Sequence, residues 1–327
     1  MTTATPDVLV IGAGVCGLST AIALRDAGLS VTVYAADPPH RTTSASAGAL
    51  WGPHLVGADD RIAPWAAETL RRFRELVAEP AAGVAEMAGL VASPHWAAEP
   101  PAFTSGASPA AGCDPAELPA GFATGWRYSA PIVDMPSHLD FLLAELLGKG
   151  GHLELGPALS ALAEAADLSA APVIVNCAGI GARDLVPDAG LTPVRGQVVV
   201  AANPGLTEFF VGEREDPTTV TYIFPHGPVV VLGGTQQHGQ ASMRPDPGTA
   251  ERILADCVVV EPRLAGSAVI AHRVGLRPVR AAVRLETQAI GGGRHLVHNY
   301  GHGGAGVTLS WGCAQAVCAE AALLFGR

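Results

Sequence analysis

The sequence predicts a doubly wound α/β fold with β-rich segments inserted into it. Three observations predict this. Val8 to Gly17 reads VLVIGAGVCG, a short apolar run entering a glycine turn. An apolar-periodic helix follows through Leu24, and then a second strand, Val31-Thr32-Val33-Tyr34. Mid-chain, Val173-Ile174-Val175-Asn176-Cys177-Ala178-Gly179 is another buried strand running into a glycine turn. Near the end, His298 to Ala314 reads HNYGHGGAGVTLSWGCA, a short strand and a glycine-dense turn that open an apolar helix.

The first element is the most specific. Gly12-Ala13-Gly14-Val15-Cys16-Gly17 falls in the strand–turn–helix–strand setting of a Rossmann-like dinucleotide site. Gly12 allows the tight turn, Gly14 lets the backbone approach a pyrophosphate, and Gly17 permits close helix–sheet packing. A carboxylate is expected at the end of the second strand to bind the ribose. Asp37 is the candidate, two residues beyond the usual place, and a solvated turn Asp before Pro38-Pro39 is the alternative. The closing segment offers helix N-terminal N–H groups to an anion or electron-rich atom.

Between these signals, stretches 94–120 and 201–219 are rich in Pro, Ala and Gly and show little periodicity. Ser137 to Leu147 reads as an amphipathic helix with Ser137 as its N-cap. Val198 to Ala201, Thr221 to Phe224 and Val229 to Leu232 read as an antiparallel sheet, and Val297-His298-Asn299 as a short strand. The domains are therefore expected to be discontinuous. Residues 1–54, 126–190 and 273–327 form the nucleotide-binding domain; 55–125 and 191–272 form the β-rich substrate domain.

The chain has 327 residues, 49% hydrophobic and 15% charged, so a large core is available. A net charge of −10 argues against nucleic acid and anionic membranes as partners. The six cysteines show no metal-ligand spacing, and no metal is expected. They read as reduced, which with the absence of a signal peptide or a Ser-Lys-Leu ending gives a cytoplasmic expectation.

Taken together, the pieces resemble the D-amino-acid oxidase family, which includes the D-aspartate oxidases. The likeness runs over nearly the whole chain: VLVIGAGVCGLSTA, VYAADPPHRTTSASAGALWGPH, VIVNCAGIGARDL, PVRGQVV, YIFP, VVLGGT, VGLRPVRAAVRLE and HNYGHGGAGVTLSWGCA. It implies non-covalent FAD, a D-amino acid substrate oxidised by hydride transfer to flavin N5, and O2 reduced to hydrogen peroxide. A homodimer is left open.

The resemblance places Thr42, Thr43 and Ser44 beside the pyrophosphate and flavin, and Ala49 and Leu50 against the flavin ring. Ala178 and Gly179 match the turn after the third parallel strand. His302, Gly303, Gly304, Gly306, Val307 and Thr308 match the loop that donates N–H groups to the flavin pyrimidine edge. Tyr222 matches a tyrosine touching the substrate carboxylate, and the Gly304 carbonyl matches the acceptor for the substrate amine. Arg284 in VRLE is taken as the carboxylate fork, at the flavin as well as the substrate, because guanidinium binds a planar carboxylate bidentately. The alternative for Arg284 is a surface pair with Glu286. Arg277 and Arg280 sit in a Pro-containing turn and are taken as structural.

The chain departs from the family pattern at several places. Ala36 stands where relatives carry the ribose Asp, and Thr218 where vertebrate enzymes carry a lid tyrosine. Gly52 and Ala305 replace larger residues. His54 resembles the acid-specific branch, but Gln236 stands where that branch carries an Arg. A buried second carboxylate without a cation is costly. Neutral D-amino acids are therefore the expected substrates. The alternatives are D-aspartate, a glycine/sarcosine-type amine, or a dehydrogenase using another acceptor. Protonation of His54 or His226 is expected to raise activity on D-aspartate as pH falls toward 6.5.

Overall fold

The computed structural model describes residues 5–216 and 218–326. Residues 1–4 and 327 of the expected nucleotide-binding segments, and residue 217 of the second insert, lie outside them. In chain order the elements are β1 (Val8–Ile11), α1 (Val15–Asp26), β2 (Val31–Ala35), α2 (Ile62–Leu76), β3 (Val84–Ser93), β4 (Ala111–Gly112), β5 (Thr124–Val133), α3 (Met135–Gly148), β6 (His152–Leu155), α4 (Leu162–Leu168) and β7 (Val173–Asn176). The second half adds α5 (Ala182–Leu185), β8 (Thr192–Ala202), β9 (Phe209–Gly212), β10 (Thr219–His226), β11 (Val229–Thr235), β12 (Gln237–His238), α6 (Pro247–Val260), β13 (Val269–Gly291), β14 (Arg294–His302) and α7 (Gly306–Phe325).

All of these strands join one sheet. Its path is β4-β5-β3-β9-β10-β11-β8-β13-β14-β7-β1-β2-β6, with β12 added against β8. From β14 through β7, β1 and β2 to β6 the pairing is parallel. Here side-chain alternation separates two layers. Val8 and Val10 face the main core with α1, α2, α3 and α7, while Leu9 and Ile11 face the opposite layer with Ala165 of α4 and Leu185 of α5. Helices on both faces of a parallel sheet make the doubly wound architecture the sequence predicts. Each fully buried Leu or Val contributes about 1.5–3 kcal/mol through removal from water.

The other half of the sheet is mainly antiparallel, with one parallel pair, β3 with β9. Val199, Ala201, Leu232 and Val230 pack under α6, whereas Val198, Val200, Val231, Tyr222 and Phe224 face the opposite side with Trp126 and Tyr128.

Three boundaries move. β5 pairs along its whole length with β3, so residues 126–133 join the β-rich half rather than the nucleotide-binding half. α2, expected in the β-rich half, buries Trp65, Leu70 and Phe73 in the main core, and a Cβ on Gly312 of α7 would lie 2.2 Å from the Trp65 carbonyl oxygen. Helix α3 begins at Met135 with Asp134 as N-cap; Ser137 sits inside the first turn and donates to the Asp134 carboxylate at 2.6 Å. Pro136 fits that first turn because its missing N–H would have had no helical acceptor.

Candidate active site

A cavity of about 930 Å³ opens along the ends of β1, β2 and β7 and continues under β8, β10 and β13. At its nucleotide end Gly12 has φ +107, and a Cβ there would lie 2.4 Å from the Cys177 carbonyl oxygen. Only glycine meets both demands. Gly14 and Val15 form the wall beside it. Ser44 accepts the Val15 N–H at 3.0 Å, which satisfies one orphan donor of α1. Gly17 is not on the wall. A Cβ on it would lie 1.9 Å from the Gly12 carbonyl oxygen, so its part is packing behind the turn rather than cofactor contact.

Asp37 reaches the wall next to Ala36 and is exposed, as is Arg41, while Thr43 at the same end is half-buried. Thr42 and Ser44 are only partly exposed, and the threonine hydroxyls tie the segment down: Thr42 donates to the Pro39 carbonyl at 2.7 Å and Thr43 to that of Leu276 at 3.3 Å. Ala178 and Gly179 line the opposite side.

Further in, Ala49, Leu50 and the loop 302–308 close around the cavity. Ala49 holds φ +60, a left-handed conformation costing roughly 1–2 kcal/mol for a residue with a Cβ. Its carbonyl accepts the Val133 N–H at 3.0 Å, which holds it there. Gly303 donates to the Pro278 carbonyl at 2.9 Å, and a Cβ on it would lie 1.8 Å from the Leu55 carbonyl oxygen. The first N–H of α7 with an acceptor in its own turn is that of Leu309, bonded to Ala305. Among the described residues, the N–H groups of Gly306, Val307 and Thr308 have no protein acceptor, and all three residues line the cavity. Thr308 spends its hydroxyl on the Gly52 carbonyl at 3.0 Å. His302 shares a hydrogen bond of 3.1 Å with Asn299, and burial lowers its pKa to about 4, so the ring is neutral.

These features fit FAD. The cradle at Gly12 and Gly14 excludes side chains where a pyrophosphate needs backbone, and the free N–H groups of α7 suit the electron-rich edge of a flavin. Gly12, Gly14, Ser44, Gly303 and the start of α7 would hold it.

The far end is set by β10, β11 and β13. Tyr222 stacks on Phe224, with centroids 4.5 Å apart, and its hydroxyl makes no hydrogen bond to the protein among the described residues. Burial raises its pKa to about 12 against the opposing pull of Arg277, so it is a neutral donor. Arg277 also lines this end. Its one hydrogen bond is to the Thr235 carbonyl, 2.9 Å away, and among the described residues no carboxylate lies within ion-pair distance. Burial lowers its pKa, and Tyr222 works against that. His54 meets Gln236 through Nε2 at 3.2 Å; burial, aided by Arg277, lowers its pKa to about 4.

Arg284 does not reach the cavity, and this corrects the sequence reading. Its Nε bonds Glu286 at 2.7 Å and its terminal nitrogen the Tyr300 hydroxyl at 2.7 Å, with Asp188 at 3.7 Å. The physical reason is strand geometry. Pro278 does not break β13; it lies in register with Pro193 of β8, inside one strand of 23 residues. Seven residues of strand span roughly 20 Å, so Arg277 and Arg284 cannot serve one carboxylate. The register also shifts between Val279 and Arg284, where β13 changes its main partner from β8 to β14. His226 is off the wall as well, bonded to the Gly48 carbonyl at 3.2 Å. Phe103 and Met243 line the cavity and carried no sequence signal. Arg277 carried one, the alternation Gly275-Leu276-Arg277, which Pro278 obscured.

Comparison with known proteins agrees with this geometry. Residues 7–320 match the family described as FAD dependent oxidoreductase. A D-amino-acid oxidase of Rubrobacter xylanophilus is 48% identical over 318 residues, covering 97% of this chain and 95% of that protein. A D-amino-acid oxidase of Streptomyces coelicolor is 43% identical, covering 94% of each. The crystal structure of glycine oxidase from Bacillus cereus superposes with a TM-score of 0.78 over 98% of this chain and 95% of that one. At 19% identity that likeness speaks for the fold alone. The cavity, its glycine cradle and these matches have one conclusion: the chain belongs to the FAD-dependent oxidoreductase family.

Proposed function

We propose that this protein is a D-amino-acid oxidase acting on neutral substrates, with Arg277 rather than Arg284 binding the α-carboxylate. The observation that carries the reading is the unpaired Arg277 guanidinium at the cavity wall beside Tyr222. A desolvated cation with one neutral acceptor favours an anionic ligand, and guanidinium takes a carboxylate bidentately. Tyr222 adds a neutral O–H donor to the same carboxylate. The Gly304 carbonyl, to which no backbone amide donates among the described residues, accepts from the substrate amine. Fixing carboxylate and amine together presents one face of the α-carbon, which selects the D-enantiomer through proximity and orientation. FAD held at the glycine cradle and the start of α7 would supply the two-electron redox chemistry, with O2 as the final acceptor.

The neutral preference follows from charge. Arg277 is used by the α-carboxylate, and Gln236 with a neutral His54 gives a second carboxylate no cation. Asp37 is the proposed ribose partner, since it reaches the wall where Ala36 cannot help. Six free cysteines fit a reducing compartment such as the cytoplasm.

The test is peroxide release over D-alanine, D-valine, D-methionine, D-aspartate and their L-forms. Neutral D-substrates should lead in kcat/KM, and L-forms should be inert. Leading activity on D-aspartate would overturn the neutral preference; silence on every D-amino acid would overturn the reaction.

A further inference from the structure

Arg195 on β8 is only 4% exposed, yet no carboxylate lies within ion-pair distance among the described residues. Its guanidinium is satisfied by neutral acceptors: the Ser242 carbonyl at 2.8 Å, the Gln237 amide oxygen at 2.7 Å, the Gln197 amide oxygen at 2.8 Å and the Arg244 carbonyl at 2.7 Å. Two of these belong to the coil that links β12 to α6, whose residues 239–246 are exposed. That coil buries no hydrophobic residue of its own, so side chains from β8 must hold it.

Gln197 completes the hold. Its amide donates to the Asp246 carbonyl and accepts the Asp246 N–H, both at 2.8 Å. The same coil contributes Met243 to the cavity wall, and only β12 separates it from Gln236. The opposite face of β8 serves the substrate end too. Between Arg195 and Gln197, a Cβ on Gly196 would lie 2.6 Å from an Arg277 guanidinium nitrogen. Thr235 joins the two sides, its carbonyl accepting from Arg277 and its hydroxyl from the Gln197 N–H.

We propose that Arg195 is a positioning residue: its guanidinium latches coil 239–246 against β8 and thereby sets the wall of the substrate end that Gln236 and Met243 form. A role in packing alone would be served as well by an apolar side chain, because a buried cation with only neutral partners carries a desolvation cost. Four donors in a planar fork can fix two carbonyls of a coil that has no ladder of its own. The latch touches no part of the nucleotide end, so its loss should affect substrate and not FAD.

The inference rests on the D-amino-acid oxidase reading for its kinetic arm only. In Arg195→Met holoenzyme, KM for D-alanine should rise about tenfold or more, with kcat within threefold and the FAD dissociation constant unchanged. Amide hydrogen exchange across 238–246 should accelerate while that of β1 and α1 does not. Arg195→Lys should recover part of both effects, and it carries the test alone if Arg195→Met does not fold. Unchanged exchange in 238–246 would overturn the latch. So would a KM rise that comes only with equal loss of FAD and melting temperature, which is the mark of general destabilisation. A wild-type protein inactive on every D-amino acid would remove the functional reading but leave the exchange result to decide the latch.

Discussion

One strand carries two arginines in opposite electrostatic settings. At the Arg284 station of β13, Asp188 accepts from Arg280 at 3.0 Å and from the Tyr300 hydroxyl at 2.7 Å, and Glu286 pairs with Arg284. Every charge there has a partner inside the protein. At the Arg277 station the guanidinium meets one carbonyl and a cavity. The difference teaches that the informative property of a site arginine is what the protein fails to give it. A charge already neutralised by its neighbours has nothing left to offer a ligand, while one left unpaired in a desolvated wall is costly until a ligand arrives.

The comparison can be broken most directly at Arg277. Arg277→Met should lower kcat/KM for D-alanine by about 2–5 kcal/mol, with the flavin spectrum retained. Arg277→Lys should recover only part, since ammonium lacks the fork. Retained activity in Arg277→Met would move the carboxylate elsewhere. At the other station, Asp188→Asn should cost about 3 kcal/mol of stability by leaving two arginines short of an anion, read as a lower melting temperature with kcat/KM nearly unchanged. Burial raises the pKa of Asp188, but the bonds from Tyr300 and Arg280 outweigh it and hold the carboxyl below its usual range. Its contribution is therefore present above the unfolded value of about 3.9 and is lost as pH falls through the folded one. The acid-side decline in melting temperature should be shallower in Asp188→Asn.

Smaller effects sharpen the contrast. Arg284→Met should cost about 1–2 kcal/mol of stability and leave kcat/KM within threefold; a large kinetic loss would restore it to the site. Tyr222→Phe should cost about 0.5–1.5 kcal/mol in kcat/KM, as one neutral hydroxyl does. The last expectation is an absence of change. His54 is held near pKa 4, so it stays uncharged down to about pH 5. The ratio of kcat/KM for D-aspartate to that for D-alanine should be flat from pH 8 to 5.5, contrary to what an unperturbed histidine would give. A rise below pH 7 would mean that another group supplies the cation.

The nucleotide end was legible because its demands all fall on glycines next to a strand that the sequence already shows. Gly12 needs a positive φ and room for the Cys177 carbonyl, and the sequence writes both needs as one glycine after β1. Gly303, before α7, meets the Leu55 carbonyl in the same way. The substrate end was not legible from the residues alone, because it is decided by pairing between strands far apart in the chain. Pro278 reads as a turn until Pro193 is placed opposite it. Arg195 reads as an ordinary strand arginine until β12 pairs with β8 beside it and residues 242 and 244 of the following coil return to it. The helix α2 carries a good amphipathic pattern, but only Gly312 of α7 says which half receives it. Asp37, singled out by its distance from the glycines, lies on the cavity wall next to Ala36, which occupies the usual position.

β13 pairs with β8 over its first part and with β14 over its second, so it is a full member of both halves of the sheet. No covalent cut can part the two halves without severing a strand that each requires. The molecule is thus poorly suited to modular exchange: grafting the β-rich half of a relative onto this nucleotide-binding half would have to splice within a continuous hydrogen-bonded ladder. New substrate ranges are more readily reached by altering the coils around the cavity than by shuffling whole blocks, because the coils alone can change without renegotiating that shared strand.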